Sequence, residues 1–237
     1  MEDDAGELVA VAVLTRYPPG TAVISMVLVA TRLERRGLGT RLMTHLVDHA
    51  GPGPVYLYAT ENGRPLYEKV GFATIDAMTT YVGRFDPSDG ATGAPVSRAA
   101  RDEDLPAILA LDAEAFGADR GDLVSRLPAF CEQLRVLERD GSITGYGGAW
   151  RNIETVVIGP VIAAGAAGAT ALIAELTAGA NGARIRLDVD HRNAELRTWA
   201  TAHGIPPAFD TSLMVHGGHE LPGERRRQFL PVMQALG

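Results

Sequence analysis

Two hydrophobic patterns follow each other directly between residues 24 and 50. Residues 24–29 form a short apolar run with β-branched side chains, which is typical of a buried strand. A leucine then recurs every fourth residue from Leu38 to Leu46, which predicts an amphipathic helix. Gly51-Pro52 ends that helix. The pattern therefore predicts a strand, a loop and a helix in immediate succession.

The flanking residues carry the same two kinds of pattern. They predict a short helix at residues 61–70 and strands at residues 7–17, 21–30, 55–60 and 73–82. Asn62 is the predicted N-cap of the short helix, and Pro65 falls in its first turn, where a missing N–H group costs little. The first half of the chain is therefore predicted to be β-β-α-β-α-β.

Residues 84–95 are rich in Pro, Gly, Ser and Asp, which is typical of a linker. Beyond them the order of elements begins again. Helices are predicted near residues 105–116, 122–130, 167–177 and 194–203, and strands at residues 96–99, 133–138, 143–150, 156–162, 184–190 and 211–215. We therefore predict a first domain at residues 1–84, a linker at residues 85–95 and a second domain at residues 96–237.

Three local signals add detail to the second half. Asp104 is predicted to cap the first helix, and Asp140-Gly141 predicts a hairpin turn between two strands. The three arginines at residues 225–227 are predicted to be the solvated start of a final helix.

The two halves are related by an internal repeat. An offset of 133 residues superposes Gly71 on Gly204 and aligns the two patterns of strands and helices. Around the loop at residues 35–39 an offset of 130 replaces two arginines and two glycines by Gly165 and three alanines. Pro160 lacks a backbone donor, which predicts a bulge in its strand. The second copy is therefore predicted to keep the fold and to lack the chemistry of the first.

Composition restricts the function classes. The 237 residues are 46% hydrophobic and 22% charged with a net charge of −7, so no general attraction to nucleic acid is predicted. Cys131 is the single cysteine, which excludes an internal disulfide framework and a cysteine metal site. The N-terminus is acidic, and the apolar residues 8–14 are too few to span a bilayer. We therefore expect a cytoplasmic protein without a membrane or nucleic-acid partner.

The loop between the first predicted strand and helix is the candidate for binding chemistry. It reads Arg35-Arg36-Gly37-Leu38-Gly39-Thr40. Its glycines let the backbone turn N–H groups toward a ligand, and the positive end of the helix dipole lies at the same place. The two arginines would add charge-assisted contacts, which suits a diphosphate. The spacing matches neither GxGxxG nor a P-loop, and a tight turn with solvated arginines is the alternative.

Residues 21–72 resemble the core of the GNAT N-acetyltransferase superfamily. The signature of that family, Arg/Gln-x-x-Gly-x-Gly/Ala, corresponds here to residues 34–39, with Glu34 in the place of Arg or Gln. Residues 67–72, Tyr-Glu-Lys-Val-Gly-Phe, resemble its tyrosine helix, which ends in Gly-Phe. The resemblance implies an α/β fold with a mixed sheet, built as tandem GNAT-type acyl-CoA N-acyltransferase domains with a degenerate second domain. Because a carboxylate would repel a diphosphate, we expect Glu34 to point away from the ligand.

The resemblance implies an acetyltransferase that moves an acetyl group from acetyl-CoA to an amine by direct attack and needs no metal. Tyr67 would protonate the CoA thiolate, since a phenol with a pKa of about 10 is a donor at neutral pH. The alternative for Tyr67 is a core residue with its hydroxyl at the surface. Main-chain groups would pair with pantetheine, as an added strand would, and hold the diphosphate. The implied cofactor-binding residues are Val27, Leu28, Val29, Arg35, Arg36, Gly37, Leu38, Gly39 and Thr40.

Other roles stay open at the level of sequence. Glu61, Glu68 and Asp76 are candidates for the general base, as are a water relay and a residue from the acceptor wall described next. A complete GNAT domain begins with a further strand and two helices that help form the acceptor wall, and these are expected to be missing from the first domain. The acceptor is therefore expected to be a small-molecule or peptide amine of unspecified kind. A homodimer is one way of covering the edge that the missing elements would leave.

Two interpretations without turnover also remain open. The chain would then be a CoA-binding regulatory module, or a tandem domain of the same fold whose function is interaction. His45 and His49 lie one helical turn apart, which is metal-ligand spacing, but no third ligand is evident in the sequence.

Overall fold

The computed structural model describes residues 1–2, 5–86 and 97–237, and the chain forms two compact units. Unit 1 comprises residues 1–77, 211–221 and 234–237, and unit 2 comprises residues 78–210 and 222–233. Most of the predicted linker, residues 87–95, and the first residue of the strand predicted at residues 96–99 lie outside the described residues.

Unit 1 is built from a sheet and two helices. Its elements are the strands β1 (Ala10–Tyr17), β2 (Thr21–Val29) and β3 (Val55–Ala59), the helices α1 (Leu38–Ala50) and α2 (Arg64–Lys69), and the first part of β4 (Phe72–Arg84). β1 and β2 are antiparallel, whereas β2 and β3 are parallel. A one-turn 3-10 helix, Thr31–Leu33, lies between β2 and α1.

Helix α1 begins and ends where the leucine pattern and Gly51-Pro52 predict. Its apolar side buries Leu42, Met43 and Leu46 in a core shared with β1, β2 and β3. Gly51 ends the helix with a φ of 100°, a conformation that glycine adopts without the steric cost of a side chain. The helix therefore anchors one face of the sheet and fixes where the preceding loop begins and ends.

Unit 2 repeats the arrangement with more elements. Its helices are α3 (Leu105–Phe116), α4 (Gly121–Val124), α5 (Leu127–Phe130), α6 (Ala166–Ala178) and α7 (Ala194–Ala202). The further strands of the chain are β5 (Ser97–Ala99), β6 (Gln133–Arg139), β7 (Ser142–Arg151), β8 (Val156–Ala163), β9 (Arg184–Asp190), β10 (Pro207–His216) and β11 (Gln228–Leu230). The predicted hairpin turn at Asp140-Gly141 is confirmed, with φ values of 52° and 75°.

The sheet of unit 2 places β8 in its interior. Strands β5, β6, β7 and β8 follow one another as antiparallel neighbours, and β9 continues from β8 in parallel. Every residue of β8 is buried. Helix α6 packs against this sheet with Leu172, Ile173 and Leu176, none of which is exposed.

Two strands cross from one unit to the other, so the compact units do not follow chain order. Residues 212–215 of β10 pair with β3 in unit 1, although they come from the second half of the chain. Residues 78–84 of β4 pair with β9 in unit 2, although they come from the first half. The predicted domain ranges, 1–84 and 96–237, differ from the compact units for this reason.

One predicted helix cap is wrong, and the other has the predicted position without the expected side-chain hydrogen bond. Helix α2 begins after Gly63 rather than after Asn62, and the hydroxyl of Thr60 accepts from the N–H of Gly63 at 3.3 Å. Asp104 stands at the predicted position before α3, but its carboxylate turns back to accept from the N–H of Arg101 at 2.8 Å. In both places an acceptor satisfies an N–H group of the turn before the helix.

The predicted final helix is also wrong. Residues 225–227 form a single 3-10 turn, and β11 follows at once. Arg227 pairs with Glu114 at 3.1 Å, and its side chain is only 15% exposed. A tertiary contact therefore holds the end of the arginine run, which a solvated helix start would leave in water.

Candidate functional site

The strand β2 carries a bulge near its end. Its register with β1 pairs Leu28 with Val11 and then Ser25 with Val13, so β2 contains one residue more than β1 in this interval. Met26, within the interval, has a φ of 52°. A bulge of this kind bends the strand and changes the direction of its N–H groups.

The strand β2 also separates from β3 at this point. The two strands pair only at Ala22 with Val55 and at Val23 with Tyr56. Beyond these pairs, residues 24–29 have β1 on one edge and no strand on the other within the described part of unit 1. A strand edge of this kind can bind an extended polar chain through main-chain hydrogen bonds.

The three predicted pantetheine-binding residues lie on this free edge. Val27 and Val29 pack against the core beneath α1, and Leu28 is 57% exposed. Their side chains alternate between the two faces of the sheet, so their main-chain groups lie in its plane and remain available at the edge. The positive φ of Met26 was not predicted from the sequence, because methionine is not a residue type that indicates a left-handed backbone conformation.

The loop that is predicted to bind a diphosphate turns left-handed at two positions. Arg35 and Gly37 have φ values of 61° and 79°, and Gly37 is the N-cap of α1. Among the described residues, no acceptor is within hydrogen-bonding distance of the main-chain N–H groups of residues 35–40. Arg35 and Arg36 are exposed, and neither makes an ion pair within the described residues. The loop therefore combines N–H donors, a helix N-terminus and two positive charges.

Glu34, the residue that departs from the family signature, lies at the surface. Glu34 is exposed with extended backbone angles of −57° and 154°, and the described residues offer it no ion pair. That its carboxylate points away from a bound ligand stays a prediction.

Gly39 joins three parts of the candidate site. A Cβ atom at Gly39 would lie 3.0 Å from Leu66 Cδ2 on α2 and 3.8 Å from Val29 Cγ2 on β2. The start of α1, the end of β2 and helix α2 therefore come into contact here. Since Leu66 precedes Tyr67, this contact also fixes where the tyrosine helix lies relative to the loop.

Tyr67 lies in the core of unit 1 with 9% of its surface exposed. Burial raises the pKa of its phenol above the usual value of 10.0. Its hydroxyl has no hydrogen-bond partner among the described residues. A Cβ atom at Gly63 would lie 3.3 Å from this hydroxyl and 3.0 Å from Cε2, so the glycine leaves room for the ring. A protonated, unpartnered hydroxyl is available to donate.

The C-terminal part of the chain supports this tyrosine. The rings of Tyr67 and Phe72 are 6.2 Å apart, and the rings of Phe72 and His216 are 5.2 Å apart. His216 ends β10, which pairs with β3. This support could not be predicted from the sequence, because the pairing joins residues more than 150 positions apart.

The three candidates for the general base have different surroundings. Glu68 pairs with Arg64 at 3.5 Å, Asp76 accepts from the N–H of Ala77 at 2.8 Å, and Glu61 is exposed. These contacts do not single out one of the three. In the described part of the chain, no group of three or more His, Cys, Asp or Glu side chains could hold a metal ion.

Two family models match this chain. One, described as "Acetyltransferase (GNAT) family", matches residues 1–72, and the other, described as "Acetyltransferase (GNAT) domain", matches residues 108–230. The chain is also 32% identical over 217 residues to "Uncharacterized N-acetyltransferase YitH" of Bacillus subtilis (strain 168). That match spans 90% of this chain and 76% of the relative.

Solved structures share the fold. A protein from Pyrococcus horikoshii, provisionally assigned as an acetyltransferase, superposes with a TM-score of 0.77 at 21% identity, over 97% of this chain and 76% of its own. A tandem GNAT protein from the clavulanic acid biosynthesis pathway gives a TM-score of 0.62 at 16% identity, over 90% of this chain and 80% of its own. The predicted α/β fold with tandem GNAT-type domains is confirmed. None of the helices in the described ranges combines the length and apolar content needed to cross a membrane.

Proposed function

Because this chain belongs to the GNAT N-acetyltransferase family, we propose that unit 1 transfers an acetyl group from acetyl-CoA to an amine. The observation that carries the proposal is the free edge of β2 at residues 24–29, next to the loop whose N–H groups at residues 35–40 have no acceptor among the described residues. Enzymes of this family use acetyl-CoA in general. The acceptor is proposed to be a small-molecule or peptide amine.

The residues present fit the two polar parts of CoA. The amide groups of pantetheine are proposed to pair with the main chain of Val27, Leu28 and Val29, as a further strand would. The diphosphate is proposed to accept from the N–H groups of residues 35–40 at the N-terminus of α1. Arg35 and Arg36 would neutralise part of its charge.

The chain would contribute two groups to the chemistry. Acetyl-CoA supplies an acetyl group that is activated as a thioester. A main-chain N–H group of β2 at the bulge donates to the carbonyl oxygen as the C–N bond forms and the C–S bond breaks. Tyr67 gives its proton to the sulfur that leaves, and the proton lost by the amine passes to solvent, from which the phenol is restored.

Replacing both loop arginines by alanine is expected to weaken CoA binding. Each lost charge-assisted hydrogen bond contributes about 1.5–3 kcal/mol in typical proteins, so the Kd should rise at least about tenfold. Calorimetric titration of the Arg35→Ala, Arg36→Ala variant with CoA measures this change. The effect should shrink at high salt, because both side chains are exposed.

The matched control removes two exposed arginines from unit 2. Arg139 and Arg226 are 84% and 85% exposed, so the Arg139→Ala, Arg226→Ala variant makes the same change in net charge. Its Kd for CoA should equal that of the unmodified protein. Equal affinity in all three proteins would exclude Arg35 and Arg36 as contacts of the diphosphate.

The pKa of Tyr67 predicts the alkaline side of the pH profile. A proton donor works below its pKa, and burial raises that pKa above 10.0, so loss of this proton should not halve kcat at any pH between neutral pH and pH 10. Thiol release from acetyl-CoA with a panel of amines gives the profile. A decline of kcat with an apparent pKa well below 10 would remove Tyr67 as the donor.

A further inference from the structure

The strands β2 and β8 are equivalent in the two units. In β8 the register with β7 pairs Val161 with Gly147 and then Ile158 with Ala149, so β8 has one extra residue there. The predicted bulge at Pro160 is therefore confirmed. Strand β8 also leaves its parallel neighbour β9 after Ile158, as β2 leaves β3. Both units thus contain a bulged strand that separates from the next parallel strand.

In unit 2 the space beside the bulged strand is filled by β11. Gln228 pairs with Ile162 and Leu230 with Val161, on the edge that β9 has left. Val161 and Ile162 lie 133 positions after Leu28 and Val29, the proposed partners of pantetheine in unit 1. β11 therefore makes the main-chain contacts that unit 1 leaves free.

The equivalent positions also differ in burial. Leu28 is 57% exposed, whereas Val161 is fully buried and Ile162 is 1% exposed. The contact between β8 and the C-terminal segment continues up to the bulge. A Cβ atom at Gly159 would lie only 2.0 Å from the carbonyl oxygen of Pro231. No strand or ligand of the thickness of a polypeptide can enter between them.

The segment that carries β11 is held at several points within unit 2. Phe229, Leu230 and Val232 are at most 5% exposed. Further contacts anchor it from both ends: Arg225 to Asp190 at 3.2 Å, Gln228 to the carbonyl of Ala115 at 2.7 Å, and Trp150 Nε1 to the carbonyl of Val232 at 3.1 Å. These contacts bury the segment in the core of unit 2.

The loop after β8 agrees with this occupancy. Residues 164–169 contain no basic side chain, and Gly165 has extended backbone angles of −171° and 173° instead of the left-handed turn of Gly37. The loop therefore lacks the positive side chains and the left-handed turn that its counterpart in unit 1 offers to a diphosphate.

We infer that β11 is an internal occupant of the second cofactor cleft, so that the chain binds one CoA, in unit 1, and none in unit 2. The stoichiometry rests on the proposed cofactor site of unit 1, whereas the closure of the second cleft does not. Unit 2 then acts as a scaffold whose cleft is closed by its own C-terminal segment.

Hydrogen exchange of the full chain, read by mass spectrometry with and without CoA, tests both parts. Without CoA, residues 228–232 should exchange slowly, like the rest of the core. Complete exchange of these residues within seconds would overturn the closure. With saturating CoA, protection should appear at residues 24–40 only, and calorimetry should give one site per chain.

The other outcomes separate the two proposals. Protection of residues 156–169 together with faster exchange at residues 228–232, or two sites per chain, would mean that CoA displaces β11. No protection at residues 24–40 would remove the proposed function of unit 1, while slow exchange at residues 228–232 would still support the closed cleft.

A pair of glycine variants checks the position of β11. In Gly159→Ala the new methyl group meets the carbonyl oxygen of Pro231, so residues 228–232 should exchange faster. Gly165→Ala is the control, since nothing lies within 4 Å of a Cβ atom there and its backbone is extended. Equal exchange at residues 228–232 in both variants would contradict the inferred contact.

Discussion

The Tyr67→Phe variant is expected to lose kcat by about 100-fold or more, the usual contribution of a positioned general acid. Its Kd for CoA should not change, because the hydroxyl has no partner among the described residues and the ring stays in the same core. Thiol release with an amine that the unmodified protein acetylates gives kcat, and calorimetry gives Kd. The separation of the two quantities is what identifies a group that acts in the transition state.

Tyr81→Phe is the matched control for this result. Tyr81 is also a buried tyrosine, 3% exposed, and its hydroxyl accepts from Arg197 at 3.3 Å in unit 2. Its loss should leave kcat within about twofold of the unmodified protein, because a group that makes no transition-state interaction does not change kcat. If Tyr67→Phe turned over as fast as this control, the thiolate would have to take its proton from water.

Local signals in the sequence predicted the parts of unit 1 that local interactions determine. Helix α1 was predicted with the correct bounds because its leucine period and the glycine that ends it lie within the helix itself. The left-handed turn at Gly37 follows from the residue type in the same way. The order of loop, strand and tyrosine helix was therefore predictable without any tertiary contact.

The division of β4 and β10 between the two units was not predictable, because it depends on strand pairs that are distant in sequence. Met214 of β10 pairs with Leu57 of β3, and both are apolar and buried, so either would suit many other partners. β11 is only three residues long and follows three arginines, so its pattern is too short to indicate a strand. These residues form a strand only because they pair with β8.

The pairing of β10 with β3 gives the second half of the chain a defined structural role. β3 has β2 beside it for only two residue pairs, and residues 212–215 of β10 cover its other edge. Without β10, β3 would lose a complete edge of main-chain hydrogen bonds next to Tyr67 and Phe72. The closed cleft of unit 2 and this strand are consistent with a second copy retained for structure.

A buried charge network in unit 2 was also invisible in the sequence. Asp112 on α3 accepts from Arg120 Nε at 3.0 Å and from Arg120 Nη2 at 2.6 Å. It also accepts a hydrogen bond from the hydroxyl of Tyr146 on β7, and this ring is fully buried. The guanidinium of Arg120 lies 3.9 Å from the ring centre of Phe116. Both charged side chains are only 2% exposed.

Asp112→Ala is expected to lower the free energy of unfolding by about 3–5 kcal/mol, the typical cost of leaving one partner of a buried ion pair without the other. The guanidinium of Arg120 would remain out of water with its carboxylate gone, and Tyr146 would lose its acceptor. The urea midpoint, followed by circular dichroism, measures the change.

Two further variants decide whether burial of the Asp112–Arg120 ion pair causes this loss of stability. Glu132→Ala removes the partner of Arg151 at 2.7 Å, where the side chains are 45% and 57% exposed, and should cost less than about 1 kcal/mol. The triple variant Asp112→Leu, Arg120→Met, Tyr146→Phe removes every polar member at once and should recover most of the stability, because no buried charge is left unpaired. A triple variant as unstable as Asp112→Ala would mean that the loss comes from packing around α3. An Asp112→Ala variant no less stable than Glu132→Ala would mean that water or another acceptor satisfies Arg120.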